Sequence, residues 1–249
     1  MITTVVVDLD DTLYDEIEYC RSGFAAVAEF LAGSSGRSLD FARDACARTA
    51  APACSADGTP AAGLIFAALW DQFMAGNRSK TFNAALDELG IDYDKERIAE
   101  LVGIYRNHVP AIPLPPDCEE VLRELKGKYA LGLLTDGFLP AQQLKVQALG
   151  IEKYFASIVY TEQLGRESWK PSPGGFEKIL RNLGGRPENA VYVADNEQKD
   201  FIAPNGLGVV TIQLLRPARV HRSAHAEPGA AAHHIIHKIS ELPALVETL

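Results

Sequence analysis

The 249-residue sequence predicts an α/β fold in which a doubly wound parallel sheet carries an inserted all-helical domain. Three observations predict this fold. Short apolar runs alternate with segments of helical periodicity, one long stretch shows helical periodicity alone, and acidic residues collect where the apolar runs end. Strand, helix and strand in this rhythm are typical of βαβ units, whose strands are parallel.

Five apolar runs do not alternate with polar residues, which is the pattern of strands buried on both faces of a parallel sheet. They are TTVVVDL at 3–9, ALGLLTD at 130–136, SIVYTE at 157–162, AVYVAD at 190–195 and GVVTIQL at 208–214. Apolar residues at helical spacing predict helices at 117–128, 140–150 and 173–184, and the last two end on Gly. The tail predicts a polar loop, a short strand at 233–239 and a closing helix. Residues 1–14 and 113–249 would thus form a Rossmann-like core domain.

Residues 15–112 interrupt this rhythm, because they are rich in Ala, helical in pattern and contain no apolar run typical of a strand. The stretch leaves through PAIPLPP at 110–116, whose prolines are incompatible with a helix. We therefore expect a helical domain inserted directly after the first strand.

The composition excludes several classes of function. A net charge of −9 and a pI near 5.2 argue against nucleic-acid or membrane-surface binding, which requires basic patches. The sequence shows neither a basic signal-peptide start nor an apolar run of about 20 residues, the length of a membrane helix. The four cysteines are scattered, which predicts free thiols in a reducing compartment: Cys20, Cys46, Cys54 and Cys118. A cytoplasmic protein, monomeric or homodimeric, is the expectation.

Chemically distinctive residues stand at the ends of the core strands, where open parallel sheets collect their ligands. The first strand ends at Asp8-Leu9-Asp10-Asp11-Thr12 and the second at Thr135-Asp136-Gly137. Lys170 follows the third strand, and the fourth ends at Asp195-Asn196, with Asp200 five residues beyond Asp195. At one edge of a sheet these residues form a cluster of carboxylates with one lysine and one hydroxyl.

Such a cluster has a consistent chemical use. Carboxylates this close repel each other unless a divalent cation lies among them, and hard oxygen ligands favour Mg²⁺. With the metal, Lys170 can hold a phosphate dianion, while Thr135 and the backbone N–H groups near Asp136 and Gly137 bind phosphoryl oxygens. Asp8 is placed to attack as a nucleophile, and Asp10 can protonate the leaving oxygen if its surroundings raise its pKa.

The pattern D-x-D-x-T, T-D-G, K-P and D-x-x-x-x-D, in this order, resembles the four motifs of the haloacid dehalogenase (HAD) superfamily. The resemblance covers the whole chain, and the helical insertion resembles the cap of members that act on small molecules. It implies that Asp8 is the nucleophile and Asp10 the general acid and base. Mg²⁺ would bind the Asp8 side chain, the Asp10 backbone carbonyl and Asp195. The surrounding residues would support this site from behind: Thr12, Asn196 and Asp200.

Two positions depart from the family pattern. Asp136 stands where Asn is usual, and Ala194 stands where Gly precedes the first Asp of the fourth motif. In the expected cap, four residues are candidate substrate contacts, although a solvated helix end explains them equally well: Tyr19, Arg21, Arg106 and His108.

The leading hypothesis is a magnesium-dependent phosphatase that acts on a small phosphorylated metabolite through an aspartyl-phosphate on Asp8. A phosphomutase with the same site remains open. A metal-independent 2-haloacid dehalogenase is disfavoured by Asp10, because a departing halide needs no proton. A catalytically silent binding protein of this fold is disfavoured by the presence of Asp8, Asp10 and Lys170 together.

Overall fold

The computed structural model describes residues 1–33, 61–221 and 229–249. Its elements divide into two compact units, one of residues 1–17 and 112–249 and one of residues 18–111. We refer to them as the α/β unit and the helical unit. No helix in these described ranges combines the length and the apolar character needed to cross a membrane.

The α/β unit is built on six parallel strands in the order β3-β2-β1-β4-β5-β6, which confirms the doubly wound prediction. The strands are β1 (Thr4–Val7), β2 (Ala130–Thr135), β3 (Ser157–Tyr160), β4 (Ala190–Ala194), β5 (Val210–Leu214) and β6 (His234–Ile236). Every residue of β1 and β4 is buried, as expected for central strands covered on both faces. These two fully buried strands are the ones that Asp8 and Asp195 directly follow.

In this unit, helices precede β2, β3, β4 and β5 along the chain, and a further helix follows β6. In chain order they are α5 (Pro116–Lys128), α6 (Ala141–Leu149), α7 (Gly174–Leu183), α8 (Ile202–Leu207) and α9 (Leu242–Glu247). Gly150 and Gly184 end α6 and α7 with φ of 63° and 65°, a left-handed conformation that favours glycine, and so confirm the predicted stops. Short 3₁₀ turns fill several loops: Glu152–Tyr154, Thr161–Leu164, Arg166–Ser168, Pro187–Asn189 and Ile239–Glu241.

Several predicted boundaries were wrong by a few residues, and the first strand ends at Val7 rather than at residue 9. The third strand ends at Tyr160 rather than at residue 162, because Thr161–Leu164 turns into a 3₁₀ helix. Helix α5 begins at Pro116, inside the stretch expected to be non-helical. Proline is well suited to the first helical position, where no N–H partner is needed and its φ is already helical.

In the helical unit, the described residues form helices and no strand. Helix α1 (Glu16–Leu31) begins in the α/β unit and continues into this one, followed by α2 (Ala62–Met74), α3 (Thr81–Leu89) and α4 (Lys95–Asn107). Of the four cysteines, Cys118 is a buried free thiol and Cys20 is buried. Cys46 and Cys54 lie outside the described residues.

Candidate active site

A pocket opens where β1, β2 and β4 end, within the α/β unit. Six of its lining residues belong to the motifs: Asp8, Asp10, Asp136, Lys170, Asp195 and Asn196. Five further lining residues were not predicted as site residues: Asp11, Glu16, Trp169, Lys199 and His221. The parallel sheet thus brings together residues that are far apart along the chain, because all its strands end at the same edge.

Lys170 lies fully buried between two carboxylates. Its Nζ is 2.8 Å from Asp8 Oδ1 and 2.8 Å from Asp200 Oδ1, and it donates to the Tyr192 hydroxyl at 2.9 Å. Burial opposes the lysine charge, but Asp200 and Asp8 outweigh it and raise the pKa of Lys170 well above its ordinary value. Burial raises the pKa of Asp8 to about 6, against the opposing charge of Lys170. A permanent cation therefore faces the oxygen of the predicted nucleophile.

Asp195 adds a third carboxylate beside the two that contact Lys170. Ligand atoms of Asp8, Asp195 and Asp200 all lie within 4.8 Å of one another. Asp195 Oδ2 is buried and, among the described residues, has no hydrogen-bond partner. Burial, and then the charges of Asp200 and Asp8, raise the pKa of Asp195 to about 9. Hard carboxylate oxygens with an unbalanced negative charge fit a Mg²⁺ ion, which would balance that charge.

Asp200, which the sequence predicted to support the site from behind, is itself one of the three clustered carboxylates. Its Oδ1 pairs with Lys170, and its Oδ2 accepts the backbone N–H of Asn196 at 3.0 Å. Asn196 Oδ1 in turn accepts the Gln198 N–H at 3.0 Å, which shapes the turn after β4. Although burial acts in the opposite direction, Lys170 and Lys199 lower the pKa of Asp200, so it stays ionised.

The Asp10 side chain is held by a different set of residues. Lys145 Nζ lies 2.8 Å from Asp10 Oδ1, Gln142 Nε2 donates to Asp10 Oδ2 at 2.8 Å, and the Tyr14 hydroxyl donates to Asp10 Oδ1. Burial would raise the pKa of Asp10, but Lys145 and these hydrogen bonds lower it overall. The expected rise in its pKa is therefore absent, because the residues that hold Asp10 all donate to its ionised form.

The second motif is held by its neighbours. Thr135 is buried and its Oγ1 accepts a hydrogen bond from Gln142 Nε2 at 2.6 Å. Asp136, the residue found in place of Asn, accepts from Thr161 Oγ1 at 2.8 Å and from the Lys170 backbone N–H at 3.0 Å. The two donors reach different oxygens, Oδ1 and Oδ2, so Asp136 accepts both hydrogen bonds, whereas Asn has a single acceptor oxygen. Lys199 Nζ lies 3.8 Å from Asp136 Oδ2 and balances the added charge.

The loop after β1 is held by residues that follow β5, Arg216 and Val220. Asp11 is buried in a left-handed conformation (φ 53°), and it accepts from the backbone N–H groups of Glu16 at 2.9 Å and Val220 at 2.6 Å. Arg216 donates to the Thr12 carbonyl oxygen at 3.1 Å and pairs with Asp15 at 3.0 Å. Thr12 itself is fully buried, and its predicted supporting role stays a prediction.

The four candidate substrate contacts all lie in the helical unit. The Tyr19 hydroxyl donates to the Tyr105 carbonyl oxygen at 3.1 Å, and Arg21 pairs with Glu18 at 3.1 Å. His108 contacts that same carbonyl through Nδ1 at 2.7 Å and Ser22 Oγ through Nε2 at 3.0 Å. Arg106 is half-buried near the end of α4. Contact of these residues with a substrate stays a prediction.

Sequence reasoning missed the residues that hold Asp10. A weak signal was present, since Gln142 and Lys145 are polar yet fall on the same helix face as the buried Val146 and Leu149. Glu16, read as the start of the insertion, lines the pocket, and burial together with the charge of Asp10 raises its pKa to about 8. Lys199 and Trp169 sit beside motif residues, but nothing in their spacing indicated which way they would face.

A profile of the haloacid dehalogenase-like hydrolases matches residues 2–208. The chain belongs to this family. The family match confirms the resemblance drawn from the four motifs, and it makes the protein a hydrolase of the HAD type.

Similar proteins with named activities cover most of this HAD-like hydrolase. It is 29% identical to a glyceraldehyde 3-phosphate phosphatase of Methanopyrus kandleri, over 87% of this chain and 85% of that protein. It is 31% identical to a phosphoserine phosphatase of Thermus thermophilus, over 86% of this chain and 89% of that protein. Among solved structures, magnesium-bound YfnB of Bacillus subtilis shares the fold with a TM-score of 0.65 at 17% identity, over 98% of both chains.

Proposed function

We propose that this HAD-like hydrolase is a magnesium-dependent phosphatase that hydrolyses a small phosphate monoester. The observation that carries the proposal is the arrangement of three acids that line one pocket. An Asp8 oxygen faces Lys170, an Asp195 oxygen has no hydrogen-bond partner among the described residues, and Asp10 is held separately by Lys145. The phosphatase names of the two relatives, which act on small three-carbon esters by those names, support the same reaction class.

In the first step, an Asp8 carboxylate oxygen attacks phosphorus while the bond from phosphorus to the leaving oxygen breaks. Asp10 must carry a proton in this step, although Lys145 favours its ionised form, so it takes up a proton from solvent before the reaction. It transfers that proton to the leaving oxygen, so the product is an alcohol and Asp8 carries the phosphoryl group. Lys170, which contacts Asp8 at 2.8 Å, offsets negative charge on the transferred group.

In the second step, the Asp10 carboxylate takes a proton from water as the water oxygen attacks phosphorus. The bond between phosphorus and Asp8 breaks, which releases inorganic phosphate and returns both aspartates to their starting states. Held as an ionised group by Lys145, Asp10 is well suited to this second step.

Mg²⁺ would be held by the Asp8 and Asp195 carboxylates and the Asp10 backbone carbonyl, with Asp200 beside them. When bound, the metal would polarise the phosphoryl oxygens and neutralise their charge. Thr135 and the backbone N–H groups of Asp136 and Gly137 are the proposed phosphate ligands. The helical unit is the proposed cap, with Tyr19, Arg21, Arg106 and His108 as candidate substrate contacts. A cytoplasmic location and a monomeric or homodimeric state belong to the same proposal.

The deciding assay measures hydrolysis of 4-nitrophenyl phosphate with Mg²⁺ and with EDTA. We expect wild-type activity only with Mg²⁺, and a loss of at least about 10³-fold in Asp8→Asn, which cannot form the phosphoryl-enzyme bond. Asp92→Asn, an exposed substitution in the helical unit, should retain wild-type activity. Equal activity in all samples, or none in any, would contradict the proposal. A panel of three-carbon phosphate esters then tests the substrate class, and transfer to a second hydroxyl of the substrate would indicate a phosphomutase instead.

A further inference from the structure

Gln142 and Lys145 are two polar residues that turn inward from helix α6. They stand three residues apart, so they share one helix face, and their exposed fractions are only 2% and 4%. Buried lysine is uncommon, and an ion pair in the interior often stabilises a fold no better than apolar side chains of the same volume. Stability alone therefore gives no reason for a lysine at this position.

Both residues act on groups that the proposed reaction uses. Lys145 Nζ and the Tyr14 hydroxyl donate to one oxygen of Asp10, and Gln142 Nε2 donates to the other at 2.8 Å. Because both oxygens of Asp10 are held by donors from different directions, the plane of the carboxylate cannot turn without breaking a hydrogen bond.

Gln142 also reaches the second motif. The same Nε2 donates its other hydrogen to Thr135 Oγ1 at 2.6 Å. A lone pair of the hydroxyl is then occupied, and the hydroxyl hydrogen is left to donate. Its protein acceptor, the Asp136 carbonyl oxygen, is 3.4 Å away, which is long for an O–H···O bond. The hydroxyl is therefore prepared to donate to a phosphoryl oxygen.

Gly137 provides the space that Gln142 occupies. Gly137 has a φ of 143°, and a Cβ added there would lie 2.7 Å from Gln142 Cδ and 2.8 Å from Gln142 Cγ. The glycine of the T-D-G motif is thus required both by its backbone conformation and by the side chain that passes over it.

Taken with the proposed phosphatase reaction, on which this inference rests, the geometry points to Gln142 and Lys145 as a pair of positioning residues. Lys145 fixes the orientation of the Asp10 side chain, and in that orientation the protonated form of Asp10 gives its proton to the leaving oxygen. Gln142 links that carboxylate to Thr135, so that the acid and the phosphate-binding hydroxyl keep one relative orientation.

The test compares two substrates that differ in their need for a proton. An alkyl phosphate such as glycerol 3-phosphate leaves as a strongly basic alkoxide, whereas 4-nitrophenyl phosphate leaves as a stable phenolate. The ratio kcat/KM reports the steps through departure of the leaving group. For Lys145→Met we expect kcat/KM on the alkyl phosphate to fall about 100-fold and on 4-nitrophenyl phosphate by less than about 5-fold.

Three further variants complete the design. Lys145→Arg, which keeps the charge and its donors, should recover part of the loss on the alkyl phosphate. Gln142→Met should also raise the inhibition constant of inorganic phosphate, by about 10-fold, whereas Lys145→Met leaves that constant unchanged. Lys153→Met removes a lysine that is 65% exposed and should behave as wild type on both substrates.

Parallel losses on the two substrates, or no loss on either, would overturn the positioning role. Normalising each rate to the folded fraction, measured by circular dichroism, prevents a misfolded variant from imitating a parallel loss. If Lys145→Met does not fold, the same comparison of the two substrates on Lys145→Arg and Gln142→Met tests the positioning role. Failure of the proposed function looks different, because wild type itself would then hydrolyse neither ester with Mg²⁺.

Discussion

Two lysines of the α/β unit are buried against carboxylates, and the carboxylate oxygens around them differ in how fully they are hydrogen-bonded. Lys170 contacts Asp8 and Asp200 with Asp195 close by, and Lys199 Nζ lies 3.8 Å from Asp200 Oδ1, so three carboxylates face two lysines. Lys145 faces the ionised carboxylate of Asp10, and the neighbouring acid Glu16 has a pKa of about 8 and stays protonated below that pH. Each group has one acid more than it has lysines, but both Asp10 oxygens accept hydrogen bonds, whereas Asp195 Oδ2 has no hydrogen-bond partner among the described residues.

This difference indicates where a divalent cation would bind. Three buried carboxylates cannot all stay ionised beside two lysines, and the pKa of about 9 for Asp195 expresses that conflict. A divalent cation that binds the Asp195 oxygen resolves it. Around Asp10, donors already hold both carboxylate oxygens, so a second cation there would find no open ligand atom.

The largest effect is expected from removing Lys170, the lysine that contacts Asp8 and Asp200. Lys170→Met leaves Asp8 and Asp200 buried without their partner, so the free energy of unfolding should fall by about 3–5 kcal/mol. Urea unfolding in EDTA and again in Mg²⁺ measures it. Mg²⁺ should restore part of the loss here, because the cation can replace the lost positive charge. It should restore none in Lys145→Met, and equal recovery in both variants would refute the distinction.

The same substitution in the two groups should have opposite signs. Asp10→Asn leaves Lys145 buried and unpaired, and should lower the free energy of unfolding by about 3 kcal/mol. Asp195→Asn removes an acid that the metal-free fold must protonate, and should raise that free energy by about 1 kcal/mol in EDTA at pH 7. Urea unfolding of both variants beside Asp92→Asn checks the signs. A loss of stability in both would show that Asp195 is compensated without metal.

Glu16 offers the smallest and most specific test. Its pKa in the fold, about 8, is above the ordinary 4.5, so the folded state holds a proton that the unfolded state releases. Stability from this group is therefore lost as pH rises from about 4.5 to about 8. Relative to wild type, Glu16→Gln should gain at least about 1 kcal/mol between pH 5 and pH 8.5 in EDTA, the value of less than one pKa unit. Glu188→Gln, an exposed control, should follow wild type across this range.

The sequence predicted the arrangement of the sheet well, because non-alternating apolar runs are a local signal. Strands β1, β2 and β4 coincide with such runs, and the residues that follow them line the pocket. The predicted end of β3 was wrong, because Thr161 is a residue type common in strands but begins a 3₁₀ helix here. Element ends depend on hydrogen bonds to distant groups, which periodicity does not encode.

The chain by itself determined that Asp8, Asp136, Lys170 and Asp195 meet at one edge, because parallel strands carry their ends to the same side of the sheet. Only the tertiary structure decided the state of each acid. Lys145 lies 135 residues from Asp10 along the chain, and Lys170 lies 162 residues from Asp8. The pKa of a buried carboxylate depends on which charges lie within a few ångströms and how much water is excluded, and neither quantity exists until the chain has folded.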